Sequence, residues 1–315
     1  MRQFFPGLLA AVAVAVTVTA QGPARTKVML LDGESGGPYH KWQLTTPLIK
    51  KALDETGRFD VTVVTAPAAT GVLDGFTPDF AAYKAVVFNY DAPDERWPAP
   101  IRAAFEQYVS AGGGVVIVHA ADNAFSGWKA YNDMIGVGGW RGRTVASGPY
   151  WYYKNDKLVE DPADGPGASH GRRTPYLVRT RAADHPIMRG LPASWMHQGD
   201  ELYAHMRGPG TNMTILATAY ADPSNNGTDR DEPVLMASTF GKGRVFHTVM
   251  GHDIVAMSCV GFVVTLQRAT EWVATGNVTQ PVPATFPTAS TVSYRADLAA
   301  IDPNYSRGLN GLDAR

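Results

Sequence analysis

Gly112-Gly113-Gly114-Val115-Val116-Ile117-Val118-His119-Ala120-Ala121-Asp122-Asn123 is the stretch on which the fold turns. The three glycines close a run of helical spacing over residues 101–110, and four β-branched residues follow. A strand that is apolar on both of its faces cannot sit with one face in water. It reads instead as an inner strand of a parallel sheet covered on both sides. The polar residues that follow it then lie at the carboxyl end of the sheet, where open α/β sheets hold their ligands.

The rest of the chain repeats this grammar. Residues 27–32 and 59–65 read as strands around a helix over 42–56, and residues 85–90 as a third strand. Strands alternating with helices predict a doubly wound α/β domain. From 136 to 174 the pattern loosens into a segment rich in Gly, Trp and Tyr, read as an insertion of short strands or long loops. Regularity returns with strands at 214–219, 234–238 and 244–249, the last two joined by the turn Phe240-Gly241-Lys242-Gly243, and with a closing helix at 260–274. Beyond 276 the repeated Pro, Thr and Ala predict a poorly ordered tail, 277–315.

Composition narrows the function. With 315 residues, 45% hydrophobic and 18% charged, the chain has the balance of an ordinary globular protein. A formal net charge of −1 supplies no field to draw in nucleic acid, and it suits a neutral small-molecule partner such as a carbohydrate. The first twenty residues carry one charge, Arg2, and an apolar run from Leu8 to Val18 that ends Val18-Thr19-Ala20. That pattern predicts a signal peptide over residues 1–20, a periplasmic or secreted protein, and no membrane attachment after cleavage. The single cysteine, Cys259, precludes an intrachain disulfide and reads as a buried thiol.

The strand exits hold the candidate chemistry. Asp32 and Glu34 follow the first strand, with His40 soon after; Asn89, Tyr90 and Asp91 follow the third; His119, Asp122 and Asn123 follow the fourth; Gly251-His252-Asp253 follow the last. His119 occupies the strand-to-helix turn where related layouts place a nucleophile, and an imidazole there can move protons, polarise an oxygen or bind metal. Glu201 can serve as a carboxylate partner or merely belong to a turn with Tyr203 packed inward, whereas Asp200 reads as a solvated turn residue. His247 lies inside a strand and reads as core. No local zinc spacing occurs, so no metal ligand set follows from the motifs, although one assembled from His40, His119 and His252 stays open. Trp128, Trp140, Trp151, Tyr150 and Tyr152 can form a wall for a sugar ring or the core of the inserted segment.

Four motifs taken together resemble the ThuA-like, or trehalose-utilisation, family: residues 112–121, His-Pro-Ile-x-x-Gly-Leu-Pro at 185–192, Asp-Glu-Leu-Tyr at 200–203, and Gly-Lys-Gly-Arg-Val-Phe-His-x-x-x-Gly-His-Asp at 241–253. The resemblance spans roughly residues 26–276. It implies a class I glutamine amidotransferase-like fold, a flavodoxin-like three-layer sandwich with a mainly parallel sheet. It also implies no amidotransferase activity, because His119 stands where that superfamily has its cysteine. A role in carbohydrate catabolism, through 3-keto-glycosides, goes with the family; His119, His252 and Glu201 are then expected to move protons, with a non-catalytic sugar-binding protein and a metal-dependent hydrolase as the alternatives. The resemblance carries over His119, Glu201 and His252 as catalytic residues and, from the segment 36–42, His40 as a substrate contact; no cofactor is expected, with a metal ion left open. Asp122, Asn123, Tyr203 and Trp128 are expected beside them as substrate contacts.

Overall fold

A computed structural model describes residues 1, 3, 24–35 and 39–302. The expected signal peptide, 1–20, therefore lies outside the described residues apart from Met1 and Gln3. No helix among the described residues is long and apolar enough to cross a membrane.

Strands β1 (Thr26–Asp32), β2 (Phe59–Thr65), β3 (Ala85–Phe88) and β4 (Gly114–Val118) alternate with helices α1 (Trp42–Asp54) and α2 (Ala99–Ser110). After β4 the chain makes one 3₁₀ turn, His119–Asn123, and a short helix, α3 (Lys129–Ile135). The inserted segment is a hairpin of β5 (Tyr150–Lys154) and β6 (Lys157–Asp161), followed by the two-residue β7 (Ser169–His170). The hairpin turns on Asn155 and Asp156, whose φ values of 50° and 57° match the right-handed twist of the strands they join. The remaining strands are β8 (Thr174–Thr180), β9 (Ser194–Asp200), β10 (Tyr203–Ala204), β11 (Thr214–Ala221), β12 (Arg230–Phe240) and β13 (Gly243–Thr248). Helices α4 (Ile254–Met257), α5 (Val260–Thr275) and α6 (Ala296–Ala299) complete the chain.

The main sheet runs β2-β1-β3-β4-β13-β12-β11-β8-β9. Its first five strands are parallel, in the flavodoxin-like order of class I glutamine amidotransferases, and β12, β11, β8 and β9 extend it antiparallel. The expected α/β sandwich is thus observed. Alternation along the inner strands splits the core in two. Val28, Leu30, Val116 and Val118 face the side covered by α1 and α5, and Met29, Leu31, Val115 and Ile117 face α2 and α3. Each such side chain, fully buried, contributes about 1.5–3 kcal/mol. The glycine triplet sets how closely the layers approach. A Cβ on Gly113 would meet the Tyr108 ring at 2.4 Å, and one on Gly114 the backbone of Val273 at 2.6 Å.

The expected disordered tail is corrected over 277–302. Phe286 and Leu298 are buried in the core, and Phe286 packs edge-on to Trp195 with ring centroids 5.4 Å apart. The buried Glu271 carboxylate accepts the backbone N–H groups of Thr279 (2.9 Å) and Gln280 (3.2 Å) and the Thr279 hydroxyl (2.6 Å). Proline-rich composition signals a scarcity of regular elements; here buried side chains and scattered backbone bonds, such as Met196 N–H to the Thr288 carbonyl at 2.8 Å and Val260 N–H to that of Ser293 at 2.9 Å, hold the segment. Residues 303–315 lie outside the described residues.

Candidate functional site

Three strand exits and one loop converge at the carboxyl edge of the sheet. His119 begins the turn after β4 with φ +46°, a left-handed conformation that costs a residue with a Cβ of order 1–3 kcal/mol and is most often kept where function requires it. That conformation turns its ring over the sheet edge. Nδ1 lies 2.5 Å from the carbonyl of Val249. A carbonyl only accepts, so Nδ1 carries the hydrogen and the Nε2 lone pair points into the site. His252 arrives from the loop after β13, His40 from the loop before α1, and Glu201 from the bend between β9 and β10.

His40, His119, Glu201 and His252 each offer one ligand atom, and the four atoms lie within 4.8 Å of one another. The imidazole centroids stand 4.9–5.4 Å apart, all edge to face. Glu201 Oε2 is 3.0 Å from His252 Nδ1 and 3.9 Å from His119 Nε2. Three nitrogens and a carboxylate oxygen at this spacing can hold one metal ion, and the Val249 carbonyl behind His119 is the kind of outer partner that fixes a ligand's tautomer. The expected catalytic trio and His40 are thus brought together.

Electrostatics follow from packing. Burial holds His119 well below the usual histidine range, helped by the neighbouring rings of His40 and His252, so it is neutral. Burial acts in the same sense on His252, but the Glu201 carboxylate outweighs it and raises that imidazole. Burial would likewise raise Glu201; contact with His252 reverses this and lowers it.

Tyr203 belongs to the site as expected. Its hydroxyl donates to His119 Nε2 at 2.7 Å and lies 3.4 Å from His40 Nε2. The other expected contacts do not. Trp128 is buried against Trp97, Phe105, Phe125 and Tyr131 on the α2–α3 side, with its indole N–H on Glu106 at 2.6 Å. Its apolar bulk serves the core, and Trp140 is the tryptophan that approaches the site, edge-on to Tyr203 with centroids 4.5 Å apart. Asp122 is fully buried and faces His247 Nε2 at 3.0 Å, which also bears out His247 as a core residue. Asn123 is buried, and its carbonyl accepts from Arg143 at 2.9 Å. Both lie on the turn beyond His119, and neither lines the pocket at the four-residue cluster.

Asp200 is the largest correction. Far from being a solvated turn residue, it is 1% exposed and accepts four hydrogen bonds. Oδ1 takes the backbone N–H groups of Glu201 (2.8 Å) and His252 (3.1 Å), and Oδ2 takes Gly251 N–H (2.7 Å) and His197 Nε2 (2.9 Å). Cys259 is buried, as expected. His170, unanticipated, comes within 3.9 Å of Glu201 Oε2 because β7 pairs with β10, His170 opposite Tyr203. Only long-range pairing puts it there, so no local signal marks it.

The family model described as trehalose utilisation, ThuA, matches residues 27–273. A ThuA-like protein from Parabacteroides merdae ATCC 43184 is 46% identical, with a TM-score of 0.83 over 87% of this chain and 99% of that one. A ThuA-like protein from Bacteroides uniformis ATCC 8492, 18% identical with a TM-score of 0.53 over 84% of this chain and 98% of that one, shares the fold. No curated protein matches the chain. The amidotransferase-like sheet, the histidine at its nucleophile turn and these matches have one reading: the chain belongs to the ThuA, or trehalose-utilisation, family, and its role is carbohydrate-related.

Proposed function

We propose that this protein is a metal-dependent enzyme acting on a sugar derivative that carries a carbonyl, a 3-keto-glycoside, with His40, His119, Glu201 and His252 as the ligands. One observation carries the reading: four ligand atoms from four separate segments lie within 4.8 Å of one another. A mixed set of imidazoles and one carboxylate favours a divalent first-row transition ion over magnesium or calcium, which prefer oxygen alone. Such an ion, when bound, polarises a carbonyl oxygen or acidifies a water. The chain's own residues supply the rest. His119 offers Nε2 because Val249 occupies Nδ1, Asp200 fixes the backbone of Glu201 and His252, and Tyr203 holds a proton at the edge of the cluster. His119 and His252 are then ligands rather than the proton carriers that the sequence suggested. The apolar run Leu8–Val18 and the small-residue end Val18-Thr19-Ala20 support the reading that this activity is exported from the cytoplasm.

A second reading rests on the 3.0 Å contact between Glu201 and His252. As a charged couple without metal, the pair can take a proton from the carbon beside a ketone. Turnover of a 3-keto-disaccharide, before and after chelation and readdition of zinc or manganese, separates the two. Loss on chelation with recovery on readdition supports the metal reading. Undiminished turnover in chelator overturns it in favour of the couple.

A further inference from the structure

The pocket that opens onto the cluster is lined in part by Ser35, Thr45, Asn89, Tyr90 and Asp91, together with His40, His119 and His252. With the histidines committed as ligands, Tyr90 and Asp91 are the titratable side chains left in that lining. Burial pushes the Tyr90 phenol far up, and its hydroxyl faces Glu34 Oε2 at 3.4 Å, so it gives up no proton near neutrality. Asp91 differs. It is 2% exposed, and both contacts from Arg141, Nε and Nη2 at 2.9 Å each, fall on Oδ1. No hydrogen bond from the guanidinium falls on Oδ2 among the described residues. The backbone supports this arrangement: Trp140 and Arg141 have φ values of +48° and +45°, two successive left-handed residues that aim one side chain at Tyr203 and the next at Asp91.

We propose that Asp91 is the catalytic proton carrier of this pocket, its Oδ2 exchanging a proton with a hydroxyl of the sugar derivative held against the four-residue cluster. The proposal rests on the metal-dependent reading above. In the forward step the ligand O–H bond breaks, its electron pair stays on the ligand oxygen, and an Oδ2–H bond forms. The return step reverses this when the ligand oxygen is reprotonated, and nothing is oxidised or reduced. The carboxyl suits the task. Burial pushes it up to about 6 against the pull of Arg141, with Asp122 adding to the rise and Arg143 opposing it. A carrier with a value near the working pH is populated in both forms. Glu34 faces it only through its backbone carbonyl, which accepts Asp91 N–H at 3.1 Å, while its carboxylate is held by Arg96 at 2.6 Å.

The test uses the full-length, metal-loaded protein and has two arms. In the first, γ-carboxyl ¹³C NMR follows the aspartate signals with pH in wild type and Asp91→Asn. A resonance missing from the variant and titrating about two pH units above a free aspartate supports the proposal; one titrating at the ordinary value overturns it. In the second, turnover of a 3-keto-glycoside is followed with pH. Expected are a kcat about 100-fold lower in Asp91→Asn, loss of the acidic limb of kcat/KM, unchanged bound metal, and partial recovery in Asp91→Glu. Turnover within about threefold of wild type, or metal lost together with activity, overturns it. Wild-type protein that turns over no sugar derivative sinks the metal-dependent reading instead, and the NMR arm then decides Asp91 alone.

Discussion

Asp200 holds His252 by its main chain: Oδ1 accepts the His252 N–H at 3.1 Å while also accepting that of Glu201 at 2.8 Å. One buried carboxylate thereby sets two of the four converging residues, and its other oxygen fixes Gly251, whose φ of +114° begins the loop. Asp200→Asn keeps the shape but turns one acceptor into a donor facing an N–H. Metal affinity is expected to fall about 10–100-fold, as for other outer-shell changes. Zinc competition titration checks this, with Glu271→Gln as a control that removes a comparably buried carboxylate far from the site. Equal affinity in Asp200→Asn and wild type would contradict the positioning role.

Tyr203 donates its hydroxyl to the same His119 nitrogen that the metal reading assigns as ligand. The two compete for one lone pair. Tyr203→Phe is therefore expected to leave metal binding intact or tighten it severalfold, while lowering turnover about tenfold or more through loss of the donor. Metal loss in Tyr203→Phe would make the tyrosine a ligand or a support instead.

Packing of the segment after α5 predicts a stability effect. Phe286→Ala removes a buried ring from against Trp195 and is expected to cost about 3 kcal/mol, read as a drop in the urea midpoint. An unchanged midpoint would mean that the segment does not pack in solution.

Glu232 gives stability a pH dependence. Burial pushes its carboxyl from 4.5 up to about 7, opposed by the Thr228 hydroxyl and by Arg230. The folded value lies above the unfolded one, so the fold favours the protonated form. Stability is fully present below the unfolded value and is lost as pH rises through about 7, by about 3 kcal/mol in all. Urea unfolding of wild type and Glu232→Gln checks this: the variant should gain relative to wild type at pH 8.5 compared with pH 5. A constant difference at the two values would remove Glu232 as the source.

The parallel half of the sheet was legible because strands buried on both faces leave continuous β-branched runs, as at Val115–Val118. The edge strands were not. In β8 only Tyr176 and Val178 are buried, between arginines and a proline, and β9 mixes histidine, glutamine and aspartate. Strand exits named His119, His252 and, slightly further on, His40, because they place residues on a known edge; Glu201 was marked only by the Asp-Glu-Leu-Tyr motif at 200–203. Trp128 was misplaced, because aromatic character says nothing of which face a ring takes. Asp200 was misread for a related reason: charge predicts exposure only until donors from distant loops, here Gly251 and His252, surround it.

Metal content of the purified, full-length protein, by inductively coupled plasma mass spectrometry beside His119→Ala, tests the central claim most directly. The account predicts about one transition-metal ion per wild-type chain and less than about a tenth of that in a folded His119→Ala protein. A folded wild-type protein that neither retains nor takes up zinc, manganese or iron would contradict it, as would a variant that binds them equally well.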